Sequence, residues 1–330
     1  MRGPIIAGVL LAACNFNLNG VDVGGANGGS GGTIPVADDA GVGGNGGVDM
    51  GARSGGIDGG PPAGAPCYSE DFSPTVSLAD LASAYTQQVW KADVLASLDR
   101  RIPGGHSLLM AQQNDSQLGN FADASSFAAL MSSLNLVCNA ETSIYDYAHA
   151  TGTTFSYFMR ADLTMQPANV TTFPRSEIAQ YITDNATATY DGALSGQQGS
   201  QDLTALADDL TSYTNGLGCI VAVADAMGNG VGARDGMAAS IYYLELYLKR
   251  ARTAHPTVYA ALQASSDWQK MVRLLWARGA FWRKASLASP SSSELGIADA
   301  PIWAHVDDPS TSSEIAMFAG DTLSDIECHP

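Results

Sequence analysis

Two apolar helical patterns, joined at a proline, dominate the spacing of hydrophobic and polar residues along this chain. From Gly236 to Ala254, one face carries apolar residues every three or four positions, namely Met237, Ile241, Leu244, Leu248 and Ala251. The opposite side is largely apolar as well, so we expect an interior helix, capped by Asp235 and stopped by Pro256. A narrow charged strip includes Glu245 and Lys249 at i, i+4, a spacing that would stabilise the helix if the strip were exposed.

The second helix of the pair is expected to begin after an N-cap at Ser266 and to run to about Leu287. One broad apolar stripe follows its length, formed by Trp268, Met271, Val272, Leu275, Trp276 and Trp282. Three Trp on one stripe form either a ligand platform or part of the core. Core burial is the favoured interpretation, because aromatic side chains dominate the packing of protein interiors.

Weaker helical patterns fill most of the remaining chain, at about 77–101, 107–113, 123–149, 174–190 and 201–227. Asn215-Gly216 is a possible break in the last of these. The stretch from Gly152 to Leu163 is rich in β-branched and aromatic residues, but no partner strand is evident, so it too is predicted to be helical. The predicted class is therefore all-α, a single domain of about eight helices over residues 67–330.

Residues 14–66 have a different composition. Between Gly20 and Pro66 there are eighteen Gly, four Pro and no aromatic residue. Such a segment buries too little apolar surface to offset its chain entropy, so we expect a disordered tether before the domain. Its root-mean-square span as a Gly-rich coil would be roughly 35–40 Å.

The chain is strongly acidic, with a formal charge of −17 and a pI near 4.4. This balance argues against nucleic-acid binding, which needs a basic surface, and it favours cationic partners. Within residues 67–330, 28 acidic residues face 14 basic ones. After residue 14, no apolar stretch is long enough to span a bilayer.

The first fourteen residues have the order of an export signal. One Arg precedes a short apolar run that ends in small residues, in the sequence MRGPIIAGVLLAA. Leu11-Ala12-Ala13-Cys14 resembles the lipobox of bacterial lipoproteins. The resemblance implies removal of residues 1–13 as a signal peptide and acylation of Cys14, which would bind the protein to membrane lipid. Asn15, rather than Asp, follows the Cys and further implies an outer-membrane or surface position.

Four further cysteines lie in the domain, and an exported protein meets an oxidising compartment. Four cysteines allow three pairings. Because the termini of a domain often lie close together, we prefer Cys67 with Cys328 and Cys138 with Cys219. A buried free thiol at Cys219 is the alternative.

A possible catalytic group surrounds the predicted turn Pro103-Gly104-Gly105. His106 and Asp115 could act as an acid–base pair, and Arg101 could hold an anionic substrate. Surface hydrogen bonding is the plainer interpretation of the same residues.

Two other local patterns support weaker functional interpretations. Asp146 and His149 share a helical face and could supply two metal ligands, but a metal site needs three or more, so no metal and no cofactor are predicted. The loop from Gly228 to Gly232 could cradle an anion, although a simple turn between helices is favoured.

Two functional hypotheses follow. The first is a lipid-anchored envelope protein whose helical domain binds or scaffolds an unknown protein or glycan. The second is an extracytoplasmic hydrolase or lyase that uses His106, Asp115 and Arg101. The motifs of the large enzyme classes are absent from the sequence, which favours the first.

Overall fold

The central helix of the fold runs through Leu203–Ala222 (α6) and packs against three other long helices. These are Phe127–Ala148 (α4), Ala233–Ala254 (α7) and Ser266–Ala288 (α9). The computed structural model describes residues 67–113, 124–151 and 154–330. Seventeen of the twenty residues of α6 are buried, so its surroundings are protein on nearly every side. The all-α class predicted from the sequence is confirmed.

The remaining helices are shorter and cover this centre. Ala79–Ala84 (α1), Trp90–Arg101 (α2) and Pro103–Ala111 (α3) precede α4 in the chain. Gly196–Gly199 (α5), Pro256–Ala264 (α8), Ser292–Leu295 (α10), Asp299–Val306 (α11), Pro309–Ala319 (α12) and Leu323–Cys328 (α13) complete the α-helices of the described residues. Both α11 and α12 pack on α7, and α13 packs on α9. Short 3₁₀ segments occupy Gln87–Val89, Arg175–Tyr181, Asp191–Leu194 and Ala224–Ala226.

The apolar helix pair predicted from the sequence is present, and its first member is interior. Seventeen of the 22 residues of α7 are buried, and the helix ends at Ala254, before Pro256. One detail of the prediction was wrong. The helix begins at Ala233, so Asp235 lies in its first turn and instead accepts hydrogen bonds from the backbone N–H groups of Ile297 and Ala298. Glu245 of the charged strip is fully buried rather than exposed.

The Trp-rich stripe of α9 belongs to the core. Trp268, Trp276 and Trp282 are all buried, and the indole N–H of Trp268 donates to the carbonyl of Ala168 at 2.9 Å. The N-cap is Ser265, one residue before the predicted one, and its hydroxyl accepts from the N–H of Trp268.

No break occurs in α6 at Asn215-Gly216. A side chain at position 216 would place its Cβ 2.8 Å from the carbonyl oxygen of Asn135, so the glycine allows α4 and α6 to cross closely there. The amide of Asn215 donates to Thr142 Oγ1 and to the carbonyl of Phe158. The two residues that resemble a helix breaker in sequence are therefore required by the helix crossing.

The helix predicted for residues 152–163 was wrong. Tyr157–Arg160 (β1) and Leu163–Met165 (β2) form an antiparallel hairpin, and residues 152–153 lie outside the described part. The missing partner strand is only three residues further along, across a turn at which Arg160 pairs with Asp162. The hairpin is also bonded to the helices, since the N–H of Phe158 donates to Asp146 of α4.

The helix predicted from Pro174 to about Tyr190 was also wrong. This stretch holds the 3₁₀ segment Arg175–Tyr181 followed by turns. Local side-chain bonds compete with a helix there, as Asp184 accepts from the N–H of Ala186, and Thr187 Oγ1 donates to Asp191. Arg175 is buried and contacts Asp209 and the carbonyl of Gln198, which fixes the loop on α6.

Disulfides join Cys67 to Cys328 and Cys138 to Cys219, the pairing preferred from the sequence. The first links the start of the described domain to α13, and the second links α4 to α6. A free thiol at Cys219 is excluded by this pairing. None of the described helices has the length and apolar character needed to cross a membrane.

Candidate functional site

An open recess lies between α1, the start of α4 and the 3₁₀ segment Ala224–Ala226. Its volume is about 510 Å³, within the range that ligand-binding clefts occupy. Leu78, Phe127 and Ala128 contribute an apolar wall, whereas Ser77 and Asp225 contribute polar groups. The recess can therefore accept a partly apolar group, and the polar contacts lie beside it.

Arg101, the residue proposed to hold an anionic substrate, lines this recess but is already engaged. Its guanidinium forms an ion pair with Asp225 through both terminal nitrogens. Nε also donates to the carbonyl of Val76 at 2.7 Å, and Nη1 to that of Ala222 at 3.1 Å. Four of its five N–H groups are thereby used. The side chain of Arg101 is 2% exposed and that of Asp225 is 57% exposed, so the recess presents a carboxylate to solvent rather than a cation.

His106 lies on α3, away from a flexible turn. Pro103-Gly104-Gly105 was expected to form that turn but instead forms the first turn of α3, with Pro103 at the position where a missing N–H costs nothing. Oδ1 of Asp99 lies 3.6 Å from Nδ1 of His106, beyond hydrogen-bond reach. Asp115 lies outside the described residues, so its pairing with His106 stays a prediction.

Asp146 and His149 are not brought together as metal ligands. Asp146 is fully buried and accepts from the N–H of Phe158 at 2.7 Å, whereas the ring of exposed His149 stacks on Tyr145. Among the residues that the structure describes, there is no cluster of three or more His, Cys, Asp or Glu side chains that could hold a metal ion.

The Gly228–Gly232 loop acts as a turn between helices. The N–H groups of Gly228 and Asn229 donate to Ser132 Oγ, and that of Val231 donates to the carbonyl of Glu294. These backbone N–H groups therefore have acceptors within the protein. This agrees with the simple turn between helices that the sequence favours over an anion site.

A buried pair of carboxyl groups on α4 and α6 was not anticipated. Ser143 Oγ donates to Asp208 Oδ2 at 2.8 Å, and the N–H of Phe158 donates to Asp146 Oδ1. The remaining oxygens, Asp146 Oδ2 and Asp208 Oδ1, have no other hydrogen-bond partner within the described ranges. Two acids enclosed in this way cannot both ionise readily, because burial penalises each charge and the charges repel.

The pKa values of the two groups follow from this environment. Burial raises the pKa of Asp208 to about 7, with a smaller contribution from the neighbouring charge of Asp209. Burial, and then repulsion from Asp208, raises the pKa of Asp146 well above its usual value. The environment of both acids therefore favours their protonated, uncharged form. No pattern in the sequence brings the two residues together.

A second buried polar group, also missed from the sequence, connects α9 to the beginning of the domain. Arg278 is 1% exposed and its guanidinium binds the carboxylate of Glu70, 208 residues away in the chain. Neither residue belongs to a local motif, so no pattern in the sequence joins them.

No protein-family model, curated protein or solved structure shows significant similarity to this chain.

Proposed function

We propose that this chain is a bacterial envelope lipoprotein whose helical domain binds a partner outside the cytoplasm. In this proposal residues 1–13 are removed, Cys14 carries the lipid, and residues 14–66 separate the membrane from the domain. The position is the outer membrane or the cell surface, as Asn15 implies.

The observation that carries the proposal is Leu11-Ala12-Ala13-Cys14 at the end of an apolar N-terminal run. The cysteine pairs support it, since all four cysteines of the described domain are joined in disulfides. Protein disulfides persist in oxidising compartments and are rare where thiols are kept reduced. Two acyl chains at Cys14 would hold the protein firmly, at about 0.8 kcal/mol for each buried CH₂ group.

Binding is assigned to the recess beside Arg101 and Asp225. Its apolar wall would take an apolar side chain or the face of a sugar ring, and the exposed carboxylate of Asp225 would take a basic or hydroxyl group. The acidic surface of the domain favours a protein or glycan partner with cationic groups.

Metabolic labelling with palmitate tests the anchor. The full chain and its Cys14→Ser variant are expressed in a bacterium that processes lipoproteins, and we expect label only in the former. Cys138→Ser serves as the matched control, because it removes a different cysteine and should leave the label unchanged. Equal labelling of the full chain and Cys14→Ser would end the proposal.

A further inference from the structure

Residues 67–74, which we call the strap, contain no helix or strand and lie against one side of the helical body. Its side chains alternate in exposure: Tyr68, Glu70, Phe72 and Pro74 are half-buried, and the other four, Cys67, Ser69, Asp71 and Ser73, are exposed. A period of two is the pattern of an extended chain with one side against a surface. The strap is therefore seated as an extended peptide ligand would be seated in a groove.

An ion pair between Glu70 and Arg278 lies at the centre of the contact between the strap and the helical body. Glu70 Oε1 accepts from Nε of Arg278 at 2.7 Å, and Glu70 Oε2 accepts from Nη2 of the same residue at 3.3 Å. The side chains are 9% and 1% exposed, respectively. Two-pronged binding of a carboxylate by a guanidinium is both strong and geometrically specific.

The helical body orients Arg278 without help from the strap. Asn215 Oδ1 on α6 accepts from Nη2 of Arg278 at 2.9 Å. The amide nitrogen of Asn215 in turn donates to Thr142 Oγ1 on α4 and to the carbonyl of Phe158 on β1. Three elements of the body thus hold the amide that contacts the guanidinium, so the body contributes to the carboxylate site independently of strap residues.

Aromatic contacts flank the acid on both sides. The ring of Tyr68 meets the edge of Phe281 with centroids 6.1 Å apart, and the ring of Phe72 lies 5.2 Å from that of Trp282. Tyr68 Oη also donates to Glu70 Oε1 at 2.9 Å. Each aromatic residue of the strap stands two positions from Glu70, so all three anchors point the same way.

The space left beside the ion pair is small. A cavity lined by Arg278, Asn215 and Arg160 has room for about one water molecule. Any other occupant of the carboxylate site must therefore replace Glu70 rather than bind next to it.

We propose that this groove on α9 is a peptide-binding site for an extended segment of the pattern aromatic-x-Glu-x-aromatic, and that the strap is its intramolecular occupant. A partner segment would place its carboxylate on Arg278 and its rings on Phe281 and Trp282. The strap holds the site at a high effective concentration, because it is part of the same chain and is fixed by the Cys67–Cys328 disulfide. The proposal does not depend on the lipid anchor or on the recess beside Arg101.

The test frees the groove and offers the peptide separately. In the full chain, Cys67→Ser, Cys328→Ser and Glu70→Gln together release the strap. The probe is a fluorescently labelled peptide of residues 67–74 with Ser in place of Cys67, titrated to about 1 mM, the effective concentration typical of a short linker. We expect saturable binding by fluorescence anisotropy, at least tenfold weaker for a peptide with Gln in place of Glu, since charge-assisted hydrogen bonds are lost.

Arg283→Gln, made in the same background, is the matched control on α9, because Arg283 pairs with Asp307 and is partly exposed. It should leave peptide affinity unchanged. Equal affinity for the Glu and Gln peptides, or no binding by a variant that remains helical by circular dichroism, overturns the proposal.

If the triple variant does not fold, Tyr68→Ala replaces Glu70→Gln in the same design. This change removes one aromatic anchor and keeps the acid, so the groove is again weakly held by its own strap. The Glu peptide is expected to bind this folded chain as well, and its failure to do so would reject the assignment.

Discussion

Two polar centres lie along α6, two helical turns apart, and they handle buried charge in opposite ways. At Asn215, a buried cation meets a buried anion, and Arg278 and Glu70 neutralise each other. At Asp208, a buried acid lies beside another buried acid, and the raised pKa values of both favour the protonated, uncharged form. The comparison shows that a charged group can enter this core either through a partner of opposite sign or through protonation. Only the stability contributed by the pair of acids depends on pH near neutrality.

Removal of Arg278 should have the largest effect on stability. Arg278→Met leaves the carboxylate of Glu70 buried without its partner, and we expect a loss of about 3–5 kcal/mol in the free energy of unfolding. Denaturant unfolding at pH 7 measures it. Adding Glu70→Gln to Arg278→Met should recover part of the loss, because the uncompensated charge is then gone. A loss below about 1 kcal/mol for the single variant would show that Glu70 reaches solvent instead.

Asp208→Asn should show that stability depends on pH near neutrality at the Asp208 centre and not at the Arg278 centre. The pKa of Asp208 in the folded state, about 7, lies above its ordinary value of 3.8. Its contribution to stability is therefore present below about pH 4 and is lost as the pH rises towards and past 7. The amide cannot ionise, so the variant should gain stability relative to the natural chain between pH 4 and pH 8, on the order of 2–4 kcal/mol.

Urea unfolding of both proteins at pH 4 and pH 8 measures this difference. Glu70→Gln is the useful comparison, because Glu70 is paired with Arg278 and its variant should show no such gain at high pH. The same offset between Asp208→Asn and the natural chain at both pH values would contradict a raised pKa at Asp208.

We expect the smallest effect on stability at the exposed ion pair of Arg100 and Asp80, whose geometry is similar to that of Arg278 and Glu70. Arg100 binds Asp80 through two nitrogens, at 2.6 and 2.7 Å, but the side chain of Asp80 is 63% exposed. Asp80→Asn should leave the denaturant midpoint within experimental error, because solvent screens exposed charges. A loss as large as that of Arg278→Met would mean that burial is not what distinguishes the two arginine pairs.

The helical spacing of apolar residues was enough to predict most of the fold. The apolar spacing of α7 and α9 requires core helices, and Pro256 separates α7 from α8 because it cannot continue the helix before it. The hairpin at Tyr157–Arg160 escaped prediction because its partner strand has only three residues, too few to show an alternation. The 3₁₀ and turn region after Pro174 escaped because side-chain bonds of Asp184 and Thr187 decide it.

The polar centres could not have been predicted from sequence, and the physical reason is distance along the chain. Glu70 and Arg278 are joined only by the packing of the strap on α9, and Asp146 and Asp208 only by the crossing of α4 and α6. In sequence, each of these four residues resembles an ordinary surface charge. The residues predicted to be catalytic were chosen because they are close together in the sequence. One of them, Arg101, is engaged in an ion pair with Asp225.

The bond between Cys67 and Cys328 makes a covalent ring of the polypeptide between them. A protease that cuts one loop of that ring opens it without producing two molecules. The cleaved protein would keep its mass, apart from one added water, and would separate into two chains only after reduction. A single cut within this ring would then not be enough to release any part of the domain.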